Sequence, residues 1–154
     1  MTVTDLPLHE HPDIHTRRWF LLGVMCLSLV MVVMAVSGLN VAIPSLQTDL
    51  GATATDLQWI VDSYSIVFAG LLLSAGAIGD RFGRKLVLMF GLAVFAAGSL
   101  IGALADDSTT IIVSRSISGI GAAFVMPATL SLLTAIFPPH ERGKAIAVWA
   151  GFAG

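Results

Sequence analysis

The chain is 154 residues long, 56% hydrophobic and only 12% charged, with a mean hydropathy of +0.88. Soluble domains carry roughly 25% charged residues, so this composition excludes a disordered chain and an ordinary water-soluble globule. Eight Lys and Arg against ten Asp and Glu leave a net charge of -2 and no reason to expect nucleic acid as a partner. The single cysteine, Cys26, excludes an intramolecular disulfide and a cysteine-built zinc site.

The first eighteen residues, MTVTDLPLHEHPDIHTRR, are polar, include Pro7 and Pro12, and read as a mobile tail. His9, His11 and His15 sit there without a rigid scaffold, so no metal site is expected. Beyond the tail, gaps between charges mark the membrane spans. No Asp, Glu, Lys or Arg falls between Arg18 and Asp49, or between Lys85 and Asp106. Each gap covers the ~20 residues that cross ~30 Å of hydrocarbon as a helix. Two further apolar stretches contain one charge each: Leu57 to Ile78 holds Asp62, and Thr110 to Phe137 holds Arg115. The chain thus predicts an all-α membrane protein with helices near 19–44, 57–78, 86–105 and 110–136, and the start of a fifth at 145–154. Backbone in lipid must satisfy its own hydrogen bonds, and runs of this length do so as helices. Ala35-Val36-Ser37 looks like a signal-peptide cleavage site, but the apolar run continues to Ile43 after a long acidic leader, which argues against cleavage.

Basic residues set the orientation. Arg17 and Arg18 precede the first span, Arg81, Arg84 and Lys85 lie between the second and third, and Arg142 and Lys144 follow the fourth. The alternate loops carry Asp49, Asp56, Asp106 and Asp107 but no Lys or Arg. By the positive-inside rule the N-terminus and both basic loops face the cytoplasm.

Asp62 and Arg115 are residues a simple anchor does not need. A charge at a helix centre costs about 2.5 to 3.5 kcal/mol on insertion scales. Both lie about five residues, or ~8 Å, from the outer ends of their spans, which suggests a pair or a shared polar cluster. Helical phase places Arg115, Ser118, Gly119, Ala122, Met126 and Thr129 on one face, and Asp62, Ser65, Ala69, Gly76 and Asp80 on another. Cys26, Ser37 and Asn40 line up on the first span. Such faces suit a water-accessible cavity between helices; the plainer alternative is two charges snorkelling to the interface. Gly98 and Gly102 form a small-xxx-small pair for close helix contact. Pro127 removes a backbone hydrogen bond and predicts a kink.

The loop after the second span reads Gly76-Ala77-Ile78-Gly79-Asp80-Arg81-Phe82-Gly83-Arg84-Lys85. Gly83 is suited to a positive φ and a sharp turn. This order of Gly, Asp, Arg, Gly, Arg and Lys resembles the signature loop of the major facilitator superfamily. Three other segments are similar to its fourteen-helix drug:proton antiporter branch. They are Leu39 to Pro44, Leu57 to Tyr64, and Arg115 with Gly119, Gly121, Ala122 and Ala123. In that branch an aspartate often stands nine residues before the proline of the first span, where this chain has Ala35. The glutamine of the fourth-span motif is Ser118.

The resemblance implies the N-terminal portion of a proton-coupled multidrug efflux transporter in the plasma membrane. It would belong to a six-helix bundle, with a C-terminal bundle, the bilayer and a lipophilic or cationic drug as partners. It implies no cofactor, the proton gradient supplying the energy. Asp62, Arg115, Asn40 and Ser37 would serve proton coupling or the transport pathway. Gly76, Asp80, Arg81, Gly83, Arg84 and Lys85 would serve conformational gating, and Gly119 and Gly121 the fourth-span motif. Because family transporters need two bundles, the chain reads as a truncation, a partial gene or a fragment. A small self-assembling four-helix transporter and a non-transporting membrane interaction protein are the other readings. An enzyme is not expected, since no His lies in a span and no Ser/His or HExxH-like arrangement occurs.

Overall fold

The computed structural model describes residues 12–153. They form α1 (Pro12–Asp49), α2 (Ala54–Phe82), α3 (Arg84–Ala103), α4 (Ser108–Ile136) and α5 (Pro139–Ala153), with no strand among the described residues. The first four are long and apolar enough to cross a membrane. Consecutive helices alternate in direction, so the basic connections gather at one end of the bundle and the acidic ones at the other.

Several boundaries differ from the sequence expectation. α1 begins at Pro12, so residues 12–18, expected in the mobile tail, are helical; residues 1–11, with His9 and His11, lie outside the described residues. Pro44 does not end α1, because a proline forfeits only its own N–H bond and the helix resumes to Asp49. α5 opens at Pro139, well before the expected 145. Proline is preorganised for the first helical position, and Glu141 in the first turn suits the positive end of the helix dipole.

The helix ends are closed by their own sequence. Thr53 caps α2 in a capping box: its Oγ1 accepts the Asp56 N–H at 3.2 Å, and its N–H donates to Asp56 Oδ2 at 2.9 Å. Asp107 caps α4 by accepting the Thr110 N–H at 2.8 Å and its hydroxyl at 2.6 Å. The expected multi-residue turn between the second and third spans shrinks to one residue. Gly83, at φ +99°, alone separates α2 from α3.

α4 is the centre of the bundle, packed along its length against α2 and α3 and more lightly against α1 and α5. Its glycines and serines permit this. A Cβ on Gly121 would stand 2.5 Å from Phe95 N, and one on Gly119 would stand 2.7 Å from Tyr64 O. On α3, a Cβ at Gly98 would meet Ser118 and one at Gly102 would meet Ser114. The small-xxx-small pair is thus spent within this bundle. α4 stays helical through Pro127, and Gly76 of α2 lies against that proline. Three apolar clusters stack along the axis. Leu22, Leu133 and Phe137 mark the basic end, Val32, Phe95 and Val125 the middle, and Leu57, Ile60 and Ile111 the acidic end.

Candidate functional site

Arg115 projects from the buried face of α4 and is 8% exposed. Its Nε donates to the Ile60 carbonyl of α2 and its Nη1 to the Ala35 carbonyl of α1, both at 3.4 Å. The guanidinium carbon lies 4.4 Å from the centroid of the Tyr64 ring, a desolvated cation–π contact. Ile60 and Tyr64 are one helical turn apart on the α2 face that meets α4, which explains why one guanidinium reaches both.

Asp62 is not the partner of Arg115. None of the ion pairs or hydrogen bonds among the described residues joins them. The reason is helical phase. The buried face of α2 is formed by Leu57, Ile60, Ser63 and Tyr64, and Asp62 stands a little over half a turn from Ile60. Asp62 is half-buried, makes no hydrogen bond, and shares its side of α2 with the exposed Ser65 and Ala69. The Asp62, Ser65 and Ala69 part of the expected polar face is therefore turned away from α4, whereas Gly76 lies against Pro127. Ser37 and Asn40 are likewise exposed, and the hydrogen bonds of Arg115 go to Ile60 and Ala35 instead; Cys26 is buried in the apolar cluster at the basic end.

What α1 brings instead is small side chains. Ala35 and Gly38 face Gly98 and Ser99 of α3 and Arg115 and Ser118 of α4 across a recess of about 270 Å³. Both departures from the family pattern, Ala35 and Ser118, line this one space. Ser99 and Ser114 donate their hydroxyls to Phe95 and Ile111 carbonyls within their own helices, whereas the Ser118 hydroxyl has no protein partner. Arg115, Ser118 and Gly119 are buried, as their shared phase predicts, and Gly121, about a third of a turn off that face, is buried against α3.

At the basic end the signature segment is split between helices. Asp80 and Arg81 lie in the last turn of α2, and Arg84 and Lys85 open α3. Arg84 Nη1 donates to the Ser131 carbonyl near the C-terminus of α4 at 2.7 Å, and its Nη2 reaches Asp80 Oδ1 at 3.5 Å. Arg84 thereby adds a charged donor to an α4 carbonyl, which the Thr134 hydroxyl also engages, just before the last turn of that helix. Arg81 lies over the Phe82 ring at 5.5 Å, and Lys85 is exposed.

Sequence reasoning missed two constellations. One is Tyr64 beneath Arg115, for which the signal was its i,i+4 relation to Ile60 on the apolar face. The other is an ion pair between Arg18 of α1 and Glu141 of α5, 3.0 Å long and largely buried. No pattern within either segment could have joined residues so far apart in the chain.

A family model described as Major Facilitator Superfamily matches residues 25–154. The chain is 39% identical over 146 residues to the puromycin resistance protein pur8 of Streptomyces alboniger, covering 94% of this chain and 29% of that protein. It is 40% identical over 135 residues to the methyl viologen resistance protein SmvA of Salmonella typhimurium, covering 87% and 27%. It is 39% identical over 136 residues to the multidrug efflux pump LfrA of Mycolicibacterium smegmatis, covering 88% and 27%. The chain thus spans less than a third of the length of these relatives.

Proposed function

The chain belongs to the Major Facilitator Superfamily, and from that membership we propose that it acts as the N-terminal part of a proton-coupled multidrug efflux transporter. In this reading the bundle sits in the plasma membrane with the N-terminus and both basic loops in the cytoplasm. It works with a C-terminal bundle and rocks against it in alternating access. The proton gradient drives export of lipophilic or cationic drugs; relatives named for resistance to puromycin and methyl viologen support that class. A small self-assembling transporter or a non-transporting interaction protein is not favoured, because the similarity to export proteins covers nearly the whole chain.

Asp62 is the proton carrier in this reading. The observation that carries it is a carboxylate within the α2 span that no side chain neutralises, on the face α2 leaves unpacked. A carboxylate locked to Arg115 could not take and release a proton freely. An intramembrane acid without a partner can do so when water or a second bundle reaches it. Arg115 has the separate duty of holding α1, α2 and α4 together at the recess.

The test is uptake of ethidium into everted membrane vesicles containing the complete gene product, the direction that corresponds to export from the cell. A proton gradient should drive dye movement in the unaltered protein. Asp62→Asn should abolish that movement while membrane insertion stays intact. Normal proton-driven export by the mutant would refute the assignment.

A further inference from the structure

Arg115 is more than nine-tenths buried, yet none of the ion pairs among the described residues includes it. Its two backbone acceptors lie at the long distance of 3.4 Å and bring dipoles, not a charge, to the guanidinium. Its Nη2 donates to no protein atom and is not among the sealed, unpartnered buried atoms, so it keeps open surface. The Ser118 Oγ, one turn along α4, is in the same condition. Both residues line the recess of about 270 Å³ between α1, α3 and α4. None of the ion pairs or hydrogen bonds among the described residues joins a carboxylate to Arg115, and Asp107 and Asp56 are engaged by Thr110 and Thr53. Asp62 lies on the other side of α2.

The Tyr64 ring and two long backbone hydrogen bonds offset only part of the cost of holding a guanidinium without a countercharge in the interior, and a bound anion would offset the rest. We propose that this recess is an anion site, built to take a small carboxylate on the Arg115 guanidinium and the Ser118 hydroxyl. The donor chemistry favours a carboxylate, because the planar fork of arginine matches two carboxylate oxygens. The size fits too. A recess of about 270 Å³ has room for a short acyl carboxylate with some water. Ala42 and Ile111 supply apolar wall for the acyl portion, which a halide would not use. The inference stands on the recess alone and does not require drug export by Asp62.

The experiment is thermal unfolding of the complete gene product, purified in detergent, titrated with sodium propionate at constant ionic strength. Sodium chloride is titrated in parallel. Propionate should raise the unfolding temperature saturably, at concentrations where chloride does little. Ala35→Asp places a carboxylate beside Arg115, and Ser118→Gln fills the recess; each should weaken propionate binding at least tenfold. Gly70→Ala, at an exposed α2 position with nothing within 4 Å, should leave the titration unchanged. No saturable shift, an equal response to chloride, or full binding in both recess variants would overturn the proposal. Because binding is read without transport, loss of export in Asp62→Asn with propionate binding intact separates this inference from the drug-export reading.

Discussion

The Nη1 of Arg115 on α4 lies 3.4 Å from the carbonyl oxygen of Ala35 on α1. With the Ile60 carbonyl and the Tyr64 ring also engaged, one side chain ties three helices together. α1 makes little other contact with α2, so this junction matters for holding the first helix in register. The Tyr64 ring carries the part of the interaction that a substitution can isolate. Tyr64→Leu should lower stability by about 2 kcal/mol, the scale of a desolvated cation–π contact. Tyr64→Phe keeps the ring, and the lost hydroxyl has no hydrogen-bond partner, so its effect should stay within about 0.5 kcal/mol. Reversible unfolding in mixed micelles with increasing SDS measures both; equal losses would remove the ring's electrostatic role.

The contact between α3 and α4 depends on absent side chains. A Cβ at Gly121 would press on Phe95 N and on Gly91 O at 2.5 and 2.7 Å, both backbone atoms that cannot swing aside. Gly121→Ala should therefore force the helices apart and cost about 1–3 kcal/mol, as overpacking does. Gly23→Ala meets nothing within 4 Å and should stabilise α1 by about 0.5–1 kcal/mol through helix propensity. The same SDS titration compares them. Similar effects at both positions would mean that the close approach contributes nothing.

The spans were legible because lipid punishes charge: the runs free of Asp, Glu, Lys and Arg outline α1 and α3 directly, and Arg115 and Asp62 only dent the other two. The buried face of α4 was legible from its 3.6-residue period, since Arg115, Ser118 and Gly119 are buried together. The partner of Arg115 was not. Depth in the membrane matched it to Asp62, but depth fixes only height along the bundle, and rotation of α2 about its axis decides which side chain meets α4. That rotation is set by Ile60 and Tyr64 packing with residues of other helices, information that is not local to the second span. The short Gly83 junction escaped for a different reason. A single residue at positive φ suffices for the break, while Asp80, Arg81, Arg84 and Lys85 have a loop-like composition but are helical.

Asp107 gives α4 a pH-sensitive start. The Thr110 hydroxyl, and next its backbone N–H, hold the Asp107 carboxyl below the ordinary carboxylate range. A folded-state value below the unfolded one means that the ionised cap stabilises the helix above about pH 4. That contribution is lost as the pH falls through the depressed folded value. Amide hydrogen exchange at Thr110, corrected for the intrinsic rate, should therefore quicken on acidification in the native sequence. Asp107→Asn caps without titrating, so its intrinsic-rate-corrected exchange should be flat over the same range. Parallel profiles in the two proteins would show that the cap does not carry the dependence.

Among the described residues, the Arg18–Glu141 pair is the ion pair that ties α1 to α5. Its side chains are 12% and 26% exposed, the contact is 3.0 Å, and Arg18 Nε, Arg18 Nη1 and Glu141 Oε2 are buried without partners. Around it, Trp19 meets the Phe137 ring edge-on at 5.2 Å, and Lys144 lies 5.4 Å from the Trp19 centroid. Two partly satisfied charges in such a place are a poor source of net stability but a strong source of specificity, because each is costly alone. Arg18→Met leaves Glu141, among the described ion pairs, with the exposed His140 3.8 Å away, and should destabilise by about 2–3 kcal/mol; Glu141→Met should cost a similar amount. The double substitution removes both charges and fills the space with apolar side chains, so it should cost less than either single change. That ordering separates a mutual dependence of the two charges from mere loss of packing, which would make the double variant the least stable. Unfolding of all four proteins in the same SDS series closes the cycle, and a double-variant loss equal to the sum of the singles would exclude coupling between α1 and α5 through this pair.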